Sequence, residues 1–255
     1  MTRLELVAVE GIGAIRAKDD LGRILVEALR AMKLPPADGD VLVVAQKIVS
    51  KAEDRFVLLD SIEPSPRAIE LARQCGKDAR LVEVILSESR EVLRVAPGLI
   101  VVEDARGLVL ANAGVDRSNV EPDDSYHERV LLLPKDPDAS AAQLRARIRD
   151  LAGVDVGVVV NDSLGRAWRL GIVGTAIGVS GLPALLDRRG EPDLHGRRLE
   201  ITEVGIADEL AAGASVLMGQ AAEGLPAVLV RGFAGPRGDG AARELLRPRK
   251  TDLFR

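Results

Sequence analysis

Cysteine occurs once in the 255 residues, at Cys75, so neither an internal disulfide nor a cysteine-rich zinc site is available. A lone thiol fits a reducing compartment. Its neighbours Ile69, Leu71 and Ala72 fall at helical spacing, which predicts a buried, inert side chain. Aromatic residues make up only 2% of the chain. The core must therefore be built from Val, Leu, Ile and Ala, and no row of rings exists on which nucleic-acid bases could stack. The two histidines, His127 and His195, lie far apart in polar surroundings and read as exposed loop residues, which argues against a Ser-His-Asp triad. Positive charge is not in excess either. The net charge is -4 and the pI about 5.4, against the basic face that nucleic acid requires. The local basic run of Arg243, Arg247, Arg249 and Lys250 reads as a solvated tail. No apolar stretch approaches the ~20 residues of a membrane span, and the first residues lack a basic-then-apolar signal pattern. The expectation is a cytoplasmic protein without nucleic-acid or membrane partners.

Hydrophobic residues make up 47% and charged residues 29%, an ordinary globular balance. The length suits one large domain, 1–255, or two fused lobes. Residues 4–9 read as a strand, and Asp19 or Asp20 caps a helix with apolar positions from Leu21 to Met32. The run 41–45 is short and wholly apolar, as in a buried strand, and it delivers Gln46, Lys47, Ser50 and Lys51 at its end. Helices are predicted over 65–74, 80–95 and from a Ser140/Gln143 capping box to Gly153. Strands are predicted over 99–102, 108–111, 173–179, 199–204 and 226–231. The cleanest strand, 156–160, is expected to stop at Asn161-Asp162-Ser163. A small-residue helix covers 208–218, and 120–129 is an acidic loop. Strands and helices mix without strict alternation, which predicts an α+β fold.

Familiar signatures fail on inspection. Gly11-Ile12-Gly13 follows a strand, but Arg16 stands where a dinucleotide fingerprint needs a small residue. No Walker A loop is present. Gly178-Val179-Ser180 opens like a nucleophile elbow, yet Leu182 replaces its second glycine. What remains is oxygen chemistry at three places where apolar structure stops. These are 112–119 with Asp116, 161–169 with Asp162, Arg166 and Arg169, and 218–224 with Gln220. Carboxylates and amides there are hard ligands suited to Mg²⁺ or Mn²⁺. Arginines can clamp phosphate or carboxylate oxygens, and glycines let backbone N–H groups approach a phosphate. Together these are parts of a phosphoryl-transfer site. Each also has a plainer reading. Asp116 could be a turn residue, Asp162 a cap, Lys51 a solvated lysine, Arg166 and Arg169 ion-pair partners, Gln220 a solvated amide, and Trp168 a core or interface anchor. The residues reach metal-assisted phosphate chemistry and leave the substrate open.

Several longer stretches carry more. Val9-Glu10-Gly11-Ile12, GDVLVVAQKIVSKAE at 39–53, NAGVDRSN at 112–119 and LLLPKDPDASA at 131–141 occur in order. NDSLGRAWRLG at 161–171, TEVGIADELA at 202–211 and PAVLVRG at 226–232 follow. Through these the chain resembles the F420-0 gamma-glutamyl ligase family over nearly its whole length. The resemblance implies a family-specific α+β fold with mixed sheets, an intertwined homodimer, and use of GTP with two Mg²⁺ or Mn²⁺ ions and K⁺. It implies that GTP phosphorylates the lactyl carboxylate of coenzyme F420-0, that L-glutamate displaces the phosphate, and that further glutamates join through gamma linkages. It places divalent metals at Asp116, Asp162, Ser163 and Gln220. Nucleotide contacts fall at Ile12, Gly13, Ala14, Ile15, Gln46, Lys47, Lys51 and Asn119, and at Met218, Gly219, Gln220, Ala221, Ala222, Glu223, Gly224 and Leu225. Lys51 would offset charge on the transferred group, and Arg166 and Arg169 would meet the F420-0 phosphate or the glutamate carboxylate. Three departures stand out: Asp54 where a turn would take Gly, a neutral Gln220 where a carboxylate would bind metal more tightly, and a long acidic loop at 122–129. No fused flavin domain, and so no FMN, is expected. An amide ligase for another carboxylate, or a catalytically silent nucleotide- or F420-binding protein, stays open as an alternative.

Overall fold

The computed structural model describes residues 3–118 and 128–253; Asn119, His127 and most of the acidic segment 120–129 lie outside the described residues. The main sheet has five strands in the order β1-β12-β2-β8-β9. They are β1 (Glu5–Ala8), β2 (Val41–Ala45), β8 (Gly157–Arg166), β9 (Arg169–Ser180) and β12 (Ala227–Arg231). β2 and β8 run parallel, and the other neighbours are antiparallel, which makes the sheet mixed. The continuous apolar run of β2 is explained by burial on both faces. Val41, Leu42, Val43 and Val44 are all buried. One face carries α1 (Leu21–Ala31) and α5 (Pro137–Ala152), whose Leu25, Leu29 and Ile148 join Leu42, Val44 and Leu229 in one core. The other face carries α6 (Ile206–Met218). Its inward residues Ala207, Ala211 and Ala214 are small, so the helix approaches closely enough that a Cβ at Gly174 of β9 would lie 2.5 Å from the Ala211 carbonyl.

A third core sits between α3 (Pro66–Cys75), α4 (Ala79–Ser87) and a three-stranded antiparallel sheet. That sheet consists of β4 (Ser89–Ala96), β5 (Leu99–Asp104) and β6 (Val109–Ala111). Cys75 is buried there, as its helical setting predicts. Two short ribbons complete the α+β fold: β3 (Phe56–Leu58) with β7 (Arg129–Leu131), and β10 (Leu186–Asp187) with β11 (Glu203–Val204). No helix among the described residues is long and apolar enough to cross a membrane.

Five sequence-based expectations need correction. The helix over 80–95 ends at Ser87, where the Ser89 hydroxyl donates to the Ile85 carbonyl, and the chain turns into β4. Strand 156–160 does not stop at Asn161. It runs on as β8 into a hairpin with β9, because Asp162, Ser163 and Leu164 find backbone partners in Thr175, Gly174 and Val173. Trp168 lies at that hairpin's tip with φ 63° and is 73% exposed, so it is not part of the core, and the interface half of that reading stays open. Helix α5 starts at Pro137 under an Asp136 cap, which leaves Ser140 inside the helix with its hydroxyl on the Asp136 carbonyl and the Glu53 carboxylate. Of the strand expected over 199–204, only Glu203 and Val204 are paired.

The Asp54 departure has a conformational consequence. Asp54 takes φ 55° immediately after α2 (Gln46–Ala52), with its N–H on the Lys51 carbonyl. Left-handed backbone penalises a Cβ. Asp54→Gly should therefore raise stability by about 0.5–1 kcal/mol, since relief of strain outweighs the added freedom of the unfolded chain. A urea midpoint that falls would show that the aspartate side chain stabilises the turn.

Candidate active site

The parallel strands β2 and β8 end in register, Ala45 beside Asn161. α2 begins at the next residue after β2, with no loop. This junction puts Gln46, Lys47 and Lys51 beside Asn161, Asp162 and Ser163 in one cleft of about 490 Å³. Two further segments wall it. Ile12, Gly13, Ala14 and Ile15 follow β1, and Met218 to Pro226 connect α6 to β12. Segments as far apart in sequence as Ile12 and Leu225 thus meet because β1, β12, β2 and β8 are neighbours in one sheet. The crevice beyond the carboxyl ends of parallel strands is a common ligand position.

Asp116 is delivered differently. Asn112, Ala113 and Gly114 all have positive φ, at 52°, 54° and 69°, and they turn the chain sharply just before it. A Cβ at Gly114 would lie 2.7 Å from the Leu133 side chain, so only glycine fits. Beyond the turn, Asp116 exchanges both backbone hydrogen bonds with Leu131 at 2.9 Å. Its carboxylate meets the Lys47 ammonium at 2.8 Å and accepts from the Ser118 N–H at 2.7 Å. Lys47 also donates to the Ser118 hydroxyl at 2.6 Å. Burial by itself would raise the Asp116 carboxyl, but Lys47 and Ser118 outweigh it and hold the group below the ordinary carboxylate range.

Asp162 behaves oppositely. Burial, reinforced by the negative charge of Asp116, pushes its carboxyl up to about 6, although the Ser163 N–H donates to it at 2.8 Å. Ser163 in turn donates its hydroxyl to Gln220 Oε1 at 2.7 Å, tying β8 to the loop after α6. Beside them the Asn161 amide donates to Ser215 Oγ at 2.9 Å, while its Oδ1 is buried without a hydrogen-bond partner. An orphaned buried oxygen, and a buried carboxyl at Asp162 whose proton affinity Asp116 raises further, make a site short of positive charge. The donors Asp116, Asp162, Ser163 and Gln220 are all hard oxygen, which fits Mg²⁺ or Mn²⁺. Among the described residues no group of three or more His, Cys, Asp or Glu could hold a metal ion. The remaining coordination positions would fall to a ligand's oxygens or to water.

The raised Asp162 carboxyl fixes a pH dependence. In the cation-free protein its stabilising contribution is present below the ordinary value of 3.8 and is lost as pH rises through about 6. Protons therefore compete with a cation for this group. Mn²⁺ affinity measured by calorimetry should weaken about tenfold between pH 7.5 and pH 5. A flat profile would place the cation away from Asp162.

Lys51 lines the cleft, half-buried. Arg166 and Arg169 do not line it. They face each other at the exposed end of the β8–β9 hairpin, where Arg166 donates to the Leu170 carbonyl. Four residues of extended strand separate Arg166 from Asp162, on the order of 13 Å. Sequence reasoning missed Asn161 and Ser118 as site residues. Each is adjacent to, or two residues from, a flagged aspartate, but only the fold shows that they face Ser215 and Lys47.

Comparison with known proteins gives a consistent result. A profile described as F420-0:Gamma-glutamyl ligase matches residues 11–232. The chain is 46% identical to the coenzyme F420:L-glutamate ligase of Methanothermobacter thermautotrophicus over 254 residues, covering 99% of each chain. It is 48% identical to that of Methanopyrus kandleri over 260 residues, covering 99% of this chain and 97% of the other. It is 45% identical to that of Archaeoglobus fulgidus over 253 residues, with the same coverage. With a matching profile over most of its length and full-length relatives at this identity, the chain belongs to the F420-0:gamma-glutamyl ligase family.

Proposed function

We propose that this protein uses GTP to attach L-glutamate to coenzyme F420-0, and then adds further glutamates through gamma linkages. The observation that carries the reading is the cleft itself. It gathers Asp162, two lysines and a glycine-bounded loop at the end of the parallel strands, and one of those lysines, Lys47, holds the second carboxylate, Asp116. That is equipment for moving a phosphoryl group, with no nucleophile of the protein's own required. The substrates follow the names of the relatives.

The lactyl carboxylate oxygen of F420-0 attacks the γ-phosphorus and GDP leaves, which produces an acyl phosphate. The glutamate amine then attacks the acyl carbon, phosphate departs and the amine gives up a proton. Asp116, Asp162, Ser163 and Gln220 would hold two divalent cations, which when bound neutralise the phosphate oxygens. Lys51 lies on the cleft wall, where its ammonium can offset charge building on the transferred group. Lys47, now on Asp116, is free to move towards a phosphate once a cation takes over that carboxylate. Arg166 and Arg169, outside the cleft, are candidates for the acidic groups of F420-0 or glutamate. K⁺ and a homodimer belong to the same reading. Trp168, Leu170 and Ile172, all exposed on the hairpin, are an apolar surface that a second copy would cover.

The test is mass spectrometry of products after incubating the protein with F420-0, L-glutamate, GTP, Mn²⁺ and K⁺. A ladder of glutamate additions that needs both nucleotide and metal supports the assignment. GTP turnover with other carboxylates, and none with F420-0, would assign the protein to a different amide ligation.

A further inference from the structure

The loop 219–224 forms one wall of the cleft. It leaves α6 through Gly219, at φ 69° and ψ -172°, a backbone conformation essentially reserved for glycine. Over this glycine the Glu223 side chain folds back on its own loop. Its Oε2 accepts from the Ala221 N–H at 2.8 Å. The backbone N–H groups of Ala221, Glu223 and Gln220 together hold its carboxyl below the ordinary range. A Cβ at position 219 would lie 2.5 Å from Glu223 Cγ and would collide with the carboxylate beyond it. The bare glycine is therefore what allows the carboxylate to lie there. Among the described residues no ion pair holds Glu223, so the backbone groups are its main attachment.

Successive backbone N–H groups converging on one anion form a nest, a geometry suited to phosphate oxygens. Here the nest opens on a cleft built for phosphate chemistry and is filled by the chain's own carboxylate. We infer that Glu223 is an internal competitor for nucleotide: its carboxylate occupies the Ala221 N–H that a phosphate oxygen would take, and nucleotide must turn it out to bind. The inference rests on the phosphoryl-transfer reading above. Two anions cannot share one nest, so the apparent nucleotide affinity is the intrinsic affinity reduced by the fraction of molecules in which Glu223 has swung away. Glu223 thereby acts as an affinity-determining residue without being a source of binding energy.

Calorimetric titration of GDP and, separately, ADP in Mn²⁺ tests this on the wild type, E223Q and E223A, with neither F420-0 nor glutamate present. E223A is expected to bind GDP about tenfold more tightly, as for a nest closed in about nine molecules of ten. E223Q, which keeps the length but loses the charge, should fall between. Weaker GDP binding by E223A would show that the carboxylate only stiffens the loop. Loss of the GDP-over-ADP preference in E223Q would make it a reader of the base. Either result overturns the competitor role while leaving the ligase reading intact. If neither wild type nor E223A binds any nucleotide, the phosphoryl-transfer reading falls and takes this inference with it.

Discussion

Asp162→Asn should abolish glutamate addition, by about a thousandfold or more as for loss of a metal or electrostatic group in a reacting centre, while leaving the fold intact or more stable. The two effects have one cause. Asp162 is charged at neutral pH only against the burial that pushes its carboxyl up to about 6. Asparagine is nearly isosteric and keeps an oxygen for the Ser163 N–H, which now donates at 2.8 Å. It discards the charge that burial penalises, and with it the repulsion from Asp116. At about 1.4 kcal/mol per pKa unit, the gain in cation-free stability at pH 7.5 is up to about 3 kcal/mol. The substituted protein should therefore melt no lower than the wild type without metal, lose the stabilisation that Mn²⁺ gives the wild type, and yield no product ladder. Three measurements separate the possibilities. Lost activity with a lower melting temperature would mean misfolding. Retained activity at any substantial level would remove Asp162 from the metal site.

This trade of stability for a charge also explains what could be read from the sequence. The strand 41–45 and its abrupt passage into Gln46 and Lys47 were legible because a doubly buried strand must be apolar throughout. The first polar residues then mark where the sheet ends. Asp20 before α1 and Gly153 after α5 were legible because capping depends on one local side chain or one left-handed residue. What failed was decided at long range. Residues 89–95 carry apolar positions compatible with a helix. They became strand because β5 was available to pair with them, with two register shifts to accommodate the fit. Polar Asp162 and Ser163 looked like a strand end, yet they continue β8 because β9 supplies partners opposite them. The contact of Lys47 with Asp116 spans 69 positions and depends on three successive left-handed residues. No local pattern announces it, since asparagine and glycine tolerate such backbone but Ala113 between them ordinarily does not.

Arg106→Met should have the second largest effect, a loss of about 3–5 kcal/mol of stability, because it leaves an uncompensated buried charge. Arg106 uses its whole guanidinium. Nε donates to the Pro134 carbonyl at 2.8 Å, Nη1 to Asp104 Oδ2 at 2.9 Å, and Nη2 to Glu88 Oε2 at 2.8 Å and the Leu133 carbonyl at 3.2 Å. Asp104 is fully buried, and without Arg106 it keeps only the backbone N–H groups of residue 106 and Leu108. Glu88 fares better, because Arg55 also pairs with it at 3.0 Å and donates to the Leu133 carbonyl. The network joins the end of α4 and the β5–β6 turn to the segment 133–134. That segment continues from β7, whose Leu131 holds the Asp116 backbone. Loosening it should therefore also reduce Mn²⁺ affinity, although Arg106 touches no site residue. Arg106→Lys should recover part of the stability, since a single ammonium can face Asp104 or Glu88 but cannot span both and the two carbonyls. Urea unfolding at pH 7.5 and Mn²⁺ titration of the folded variants measure the two effects. A stability loss below about 1 kcal/mol would mean that the network contributes no more than a surface ion pair. An unchanged Mn²⁺ affinity in a destabilised Arg106→Met would show that Asp116 is held by its own turn and by Lys47 alone.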